Sequence, residues 1–225
     1  MKSQSRSEWI ALIEDTAHDR VSWNSKADCS PWDSFYSDYR AAAVTIRQEI
    51  DDAFLECLDS PDPRVVEEAL VHPFMSTPVA ATRLLRLLEE RSEFLLAHAY
   101  GGSDRNLLAR TLNSLAACGE TRRLETHLCE QVREAILRWV PTAGPLGAGI
   151  GTFFGNLGPE DADALAAVLP AQLDHSRLMK DVGYELHRSP ERWARAIELS
   201  AQWPAPLRDA LLLGGADHAE RFPPR

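Results

Sequence analysis

Ser60-Pro61-Asp62-Pro63-Arg64-Val65-Val66-Glu67-Glu68-Ala69-Leu70 reads as the opening of a short capped helix, and His72-Pro73 closes it. A hydroxyl or carboxylate just before the first turn can accept a backbone N–H that the helix leaves without a partner. Proline in the first turn loses nothing by lacking its own N–H. Serine-led helix starts recur at Ser103-Asp104-Arg105, 43 residues on, and at Ser189-Pro190-Glu191, 86 residues further. That spacing leaves one weaker register near Leu146-Gly147. A period in the forties, with helix signals throughout and almost no strand pattern, predicts an all-α chain of stacked helical repeats.

Working outward, Thr77-Pro78 starts a longer partner helix to about Ala99 through Leu84, Leu85, Leu88, Leu95 and Leu96. Gly101-Gly102 breaks the chain. A second pair spans Asp104 to Ala117 and, after a break at Gly119, Glu120 to Val140, with Leu124, Leu128, Val132, Ile136 and Trp139 as its stripe. Residues 144–158 hold six glycines, which oppose a helix. Yet Leu146, Ile150, Phe153, Phe154 and Leu157 keep helical spacing, which predicts a helix whose bare face lets a neighbour approach closely. Further helices are expected from Pro159 to about Leu169, from Asp174 or His175 to about His187, from Pro190 to Trp203 and from Pro206 to Leu213, with residues 214–225 a frayed tail.

The first 59 residues form a separate N-terminal cap in this reading. A helix over residues 7–20 places Trp9, Ile10, Ile13 and Ala17 on one face, a polar loop runs from Ser22 to Ser30, and a long helix extends from Pro31 to Leu58. The proline-led helix start at Ser60 to Leu70, followed by its longer partner, resembles the HEAT repeat family of α-solenoids over about residues 60–213. That resemblance implies a right-handed HEAT/ARM-like solenoid of antiparallel helix pairs with a concave binding surface. The domain layout expected is therefore a cap at 1–59, repeats at 60–213 and a tail at 214–225.

With 225 residues and 44% apolar content the chain can bury a core without covalent staples. Cys29, Cys57, Cys118 and Cys129 include no CxxC pair and read as reduced thiols. Residues Met1 to Trp9 lack the apolar core of a secretory signal, and no apolar run approaches the length of a membrane span, so a cytoplasmic protein is expected. The net charge is −10, and residues 1–60 hold 6 Lys+Arg against 12 Asp+Glu. A surface of that sign repels phosphate backbones and draws in basic proteins.

No grouping of residues names a reaction. Gly147-x-Gly149-x-Gly151 follows no strand and precedes no Lys-Ser/Thr, so it does not fit a phosphate loop. The seven histidines contain no His-x3-His pair, and Glu125 and His127 fall on different helix faces, so no metal and no cofactor is expected. Glu49, Asp52 and Glu56 share a stripe of the long helix and read as a solvated face. No Gly-x-Ser-x-Gly elbow is present. Solenoids of this kind include DNA glycosylases with a basic groove, whereas this chain is acidic.

The segment Trp32-Asp33-Ser34-Phe35-Tyr36-Ser37-Asp38-Tyr39 carries four aromatics at helical spacing, with Asp28 beside it and Trp23 before it. Such rings can pack the cap onto the first repeat, or they can anchor a partner, since Trp and Tyr dominate binding hot spots and surrounding carboxylates select Lys and Arg. Trp23, Asp28, Trp32, Asp33, Tyr36 and Asp38 are the candidate partner-binding residues. The function expected is non-catalytic protein binding, most sharply an immunity or antitoxin-like inhibitor of a basic toxin domain. An adaptor or scaffold is the alternative within binding proteins, and an enzyme acting on nucleic acid or a small ligand in the concave groove is the alternative from another class.

Overall fold

Asp62 caps its helix as the sequence predicts: its Oδ1 accepts the Arg64 backbone N–H at 2.9 Å, and Ser60 Oγ accepts the Asp62 N–H at 3.2 Å. Behind that cap Val65, Val66, Ala69 and Leu70 are buried. A computed structural model describes residues 5–24, 38–72, 77–99, 106–120 and 124–222. The named helices are α1 (Arg6–Asn24), α2 (Val44–Cys57), α3 (Pro63–Leu70), α4 (Pro78–Ala97), α5 (Leu107–Glu120), α6 (Thr126–Trp139), α7 (Ala148–Leu157), α8 (Pro159–Val168), α9 (Ser176–Leu186), α10 (Pro190–Ser200) and α11 (Ala205–Arg221). The protein is all-helical, and among the described residues the only β-type pairing is one isolated bridge between Ala99 and Asn106.

The chain divides into two compact units, Met1–Phe74 and Met75–Arg225, with α3 in the first. In the first unit α1 packs on α2 and α3, burying Trp9, Ile13, Ile50, Phe54, Leu58, Val66 and Leu70. Burying each of the larger side chains contributes about 1.5–3 kcal/mol, enough to tie α3 to the N-terminal helices. α1 runs four residues beyond the expected Arg20, into what was read as loop. The long helix expected from Pro31 to Leu58 is interrupted: helical residues 38–41 end, Ala43 takes an extended conformation (φ −59°, ψ 151°), and α2 begins at Val44. The reason is visible across the break. Twelve helical residues would separate Tyr39 from Asp51 by about 18 Å, yet the Tyr39 hydroxyl donates to Asp51 Oδ1 at 2.6 Å because the chain has folded back.

In the second unit two rows of helices run side by side. α5, α7, α9 and α11 each pack on the next, and α4, α6, α8 and α10 do likewise. Glycines set the first row. Gly119 of α5 faces the Phe153 ring of α7, Gly151 and Gly155 of α7 face the Leu178 and Val182 carbonyls of α9, and Gly183 of α9 and Gly214 of α11 each face the other helix's backbone. The bare-faced helix expected at 144–158 is thus present from Ala148 to Leu157, with Ile150, Phe153 and Phe154 buried.

Three expectations fail in this unit. Gly119 is no break, because α5 continues through it to Glu120. The tail expected from residue 214 is helical to Arg221, with Gly214 and Gly215 buried in it. The equivalence implied by the 43-residue register is also not kept: helices do begin beside each marked position, at residues 63, 107, 148 and 190, but α3 lies in the first unit, α5 and α7 in the glycine row and α10 in the other row. Ser189 does cap a helix, accepting the Arg192 N–H, but that helix is α10 of the other row.

Arg192 closes a gap that the glycine helix leaves. Its Nη2 donates to the Gly155 and Asn156 carbonyls, at 2.6 and 2.9 Å, where α7 runs out of internal donors. Arg192→Ala should therefore destabilise the protein by about 2 kcal/mol, since hydrogen bonds from charged donors contribute roughly 1.5–3 kcal/mol. Arg192→Lys should recover only part of that, because an ammonium lacks the planar fork. Urea denaturation of the two variants checks both.

Candidate functional site

The acidic surface belongs to the first unit. Residues 1–74 hold 7 Lys+Arg against 15 Asp+Glu, a net −8 of the chain's −10. On α1 the buried face carries Trp9, Ile13, Thr16 and Ala17, which turns Glu8, Glu14 and Asp15 to solvent. On α2 the buried face carries Ile50, Ala53, Phe54 and Cys57, which leaves Glu49 and Glu56 exposed and Asp52 half-buried on the opposite side. Helical spacing alone produces this segregation, since residues three, four and seven apart share a face.

Two of the unit's cations are spent locally. Arg6 pairs with Glu56 at 2.7 Å, and Arg64 pairs with Asp62 at 3.1 Å. Asp62 also meets His18 Nε2 at 2.9 Å, and the Arg64 hydrogen bond, with that of His18, holds its carboxyl well below the ordinary range. Glu8 is likewise held low by hydrogen bonds from Ser5. These carboxylates carry full charge at any physiological pH.

Of the candidate partner-binding residues, Asp38 is exposed, at the helical residues before the Ala43 break. The backbone of Trp23 belongs to α1. Asp28, Trp32, Asp33 and Tyr36 lie outside the described residues. The exposed carboxylates of the described residues lie instead on α1 (Glu8, Glu14, Asp15) and on α2 (Glu49, Glu56), and the α2 stripe is the solvated face read from the sequence.

A polar cluster that the sequence did not announce lies beneath this surface. His72 Nε2 stands 3.2 Å from Asp51 Oδ1, the same oxygen that accepts the Tyr39 hydroxyl. The imidazole stacks on Phe54, with ring centroids 3.9 Å apart, and meets the Tyr39 ring edge-on at 5.1 Å. Burial lowers the His72 pKa against the opposing pull of Asp51, and burial together with the Asp51 hydrogen bond pushes the Tyr39 phenol up. The His–Asp pairing has the composition of an acid–base couple. The His72 side chain is 0% exposed, and with Tyr39 it holds the fold-back against Asp51.

The chain matches no family model, no curated protein and no solved structure. Its function must therefore be argued from its own surfaces.

The second unit offers grooves along the α4–α10 row, where no glycines bring the helices together. One of about 570 Å³ lies between α4 and α6, lined by Arg86, Glu89, Gln131, Glu134, Arg138 and Trp139. Another of about 590 Å³ lies between α6 and α8, where Arg133 is bonded to Asp161 and Cys129 forms part of the wall. Neither gathers converging titratable groups of the kind catalysis requires. Burial pushes the Cys57 and Cys118 thiols up to about 12, which makes them poor nucleophiles at neutral pH. The Gly147-x-Gly149-x-Gly151 run is engaged in packing: a β-carbon on Gly147 would collide with the Asn113 side chain, and one on Gly151 with the Leu178 carbonyl. Among the described residues no group of three or more His, Cys, Asp or Glu could hold a metal ion, and no helix is long and apolar enough to cross a membrane.

Proposed function

We propose that this chain is a non-catalytic binding protein, and that its acidic N-terminal unit docks a basic protein partner in the manner of an immunity or antitoxin-like inhibitor. The observation that carries the reading is the confinement of −8 of the −10 net charge to one compact unit, with Glu8, Glu14, Asp15, Glu49 and Glu56 exposed on α1 and α2. A field of that kind speeds the encounter with a positively charged partner and repels nucleic acid. In this reading the second unit is a HEAT-like right-handed solenoid, supported by the two rows of helices and by the capped, proline-led starts at α4 and α10. We place the protein in the cytoplasm on the same reading.

Triple reversal Glu14→Lys, Glu49→Lys and Asp52→Lys tests it. The probe is the product of the gene adjacent to this one, whatever its charge, with association followed by stopped flow. The wild type should associate faster as salt is lowered, and the variant should associate about 10–100-fold more slowly at low ionic strength. A neighbouring product that is not basic, that does not bind, or that binds with a salt-independent rate defeats the proposal. The mixed-charge grooves between α4, α6 and α8 favour a second reading, an adaptor that holds a peptide segment. Binding would then be insensitive to the triple reversal and lost on Trp139→Ala.

A further inference from the structure

The C-terminal end of α11 meets α9 through two histidines. His187 directly follows the last residue of α9, and His218 lies in the final turn of α11. Their Nδ1 atoms face each other at 3.1 Å. At that distance one ring donates and the other accepts, so the contact requires that one Nδ1 carry no proton. Aromatic rings hold the pair in place: Tyr184 and Phe222 both pack on His218 at 5.1 Å, and Trp193 of α10 stands edge-on to His187 at 5.0 Å.

The charged surroundings decide what the pair can accept. From α9 and its end come Lys180, Glu185 and Arg188, and from α11 come Asp217 and Arg221. Both carboxylates are already engaged, Asp217 by Lys180 at 2.6 Å and Glu185 by Arg188 at 2.7 Å. The guanidiniums of Arg188 and Arg221 each lie 5.7 Å from the Tyr184 ring that packs on His218. From α10 the group in contact is the uncharged Trp193. Asp181 of α9, its carboxyl pKa raised by burial, and Arg177 line the same groove as Tyr184, Glu185, Asp217 and Arg221, yet no group of three or more His, Cys, Asp or Glu among the described residues could hold a metal ion. A second proton is the relevant ligand, and the same guanidiniums oppose it while the pair is closed.

We propose that His187 and His218 form a proton-operated latch that fastens the last turn of α11 to α9 at neutral pH and releases it in mildly acidic solution. The direction follows from linkage. Desolvation, then the neighbouring His187 and Arg188, hold His218 below the ordinary histidine value in the closed form. The released form titrates near the ordinary value of about 6.5 and therefore binds protons more tightly. Closure is fully favoured above that value and weakens as the pH falls through it. Release frees Phe222, already 62% exposed, and uncovers the ring edges of Tyr184 and Trp193.

Hydrogen exchange of the full chain, read by mass spectrometry on the segment 210–222 and corrected for intrinsic exchange, tests the latch. Protection of that segment relative to α7 should fall several-fold between about pH 8 and about pH 5.5, as the released form takes up protons that the closed form resists. His187→Asn offers His218 an amide that can donate to the neutral ring or, through Oδ1, accept from the protonated one, so it should keep the protection while abolishing its pH dependence. Arg188→Gln removes an opposing cation, so the closed pair takes up its proton more readily and the loss of protection on acidification should shrink. His175→Gln, at the other end of α9, should leave the transition where it is. The inference fails if segment 210–222 loses protection only in parallel with α7, or if His187→Asn shows the wild-type pH response.

Discussion

Gly214→Ala should destabilise the second unit by about 3–5 kcal/mol and lower its thermal midpoint by about 10 °C. A β-carbon on Gly214 would lie closer than 3.0 Å to the Lys180 carbonyl and to the Tyr184 nitrogen, and one on Gly183 would do the same to the Leu211 carbonyl. All of these are backbone atoms, so no rotamer change relieves the clash and the helices must separate. The gain of about 1 kcal/mol in helix propensity from Gly to Ala is too small to compensate. Because one separation relieves both sites, Gly183→Ala and Gly214→Ala together should cost less than the sum of the two. Gly119→Ala should be milder, since what it meets is the Phe153 ring, a side chain that can turn. Calorimetry of the three variants checks the ranking; a Gly214→Ala protein as stable as wild type would show that α9 and α11 do not cross at these glycines.

These glycines also mark where sequence reading succeeds and where it stops. The helix at Ala148–Leu157 was legible despite its composition, because Ile150, Phe153, Phe154 and Leu157 keep the helical period and a period survives poor propensity. Gly119 and Gly214-Gly215 were misread as endings for the opposite reason. A glycine signals a break and a close helix contact with the same letter, and only the neighbour decides which. For Gly119 that neighbour is Phe153 and for Gly214 it is Lys180, each more than 30 residues away in the chain. The interruption at Ala43 had no signal at all, since Ala41-Ala42-Ala43 is the strongest of helix formers, and it arises from the tertiary bond between Tyr39 and Asp51. The acidic character of the N-terminal region was legible as composition. The α2 part of its distribution, Glu49 and Glu56 on one solvated stripe, was legible from helical spacing as well.

Asp51→Ala should cost the first unit about 3 kcal/mol, because one carboxylate oxygen serves both the Tyr39 hydroxyl and the His72 imidazole. Asp51→Asn keeps an acceptor oxygen without the charge and should lose about half as much. The two variants separate through pH as well as through stability. His72 is buried with its pKa already lowered by desolvation, and Asp51 is the group that pulls it back up. Stability linked to a histidine lowered in the fold is fully present above the unfolded value of about 6.5 and declines as pH falls toward the folded value, because the unfolded chain takes up the proton first. Without the Asp51 charge the folded value drops further, so the decline should extend to lower pH and become larger in total. Exchange protection of α2 measured between about pH 7.5 and about pH 4.5 reads this directly. A variant whose acid sensitivity shrinks on losing Asp51 would mean that the carboxylate does not hold His72. The fold-back that carries Asp38 toward the acidic face would then need another anchor, since no continuous helix through Ala43 can place Tyr39 against α2.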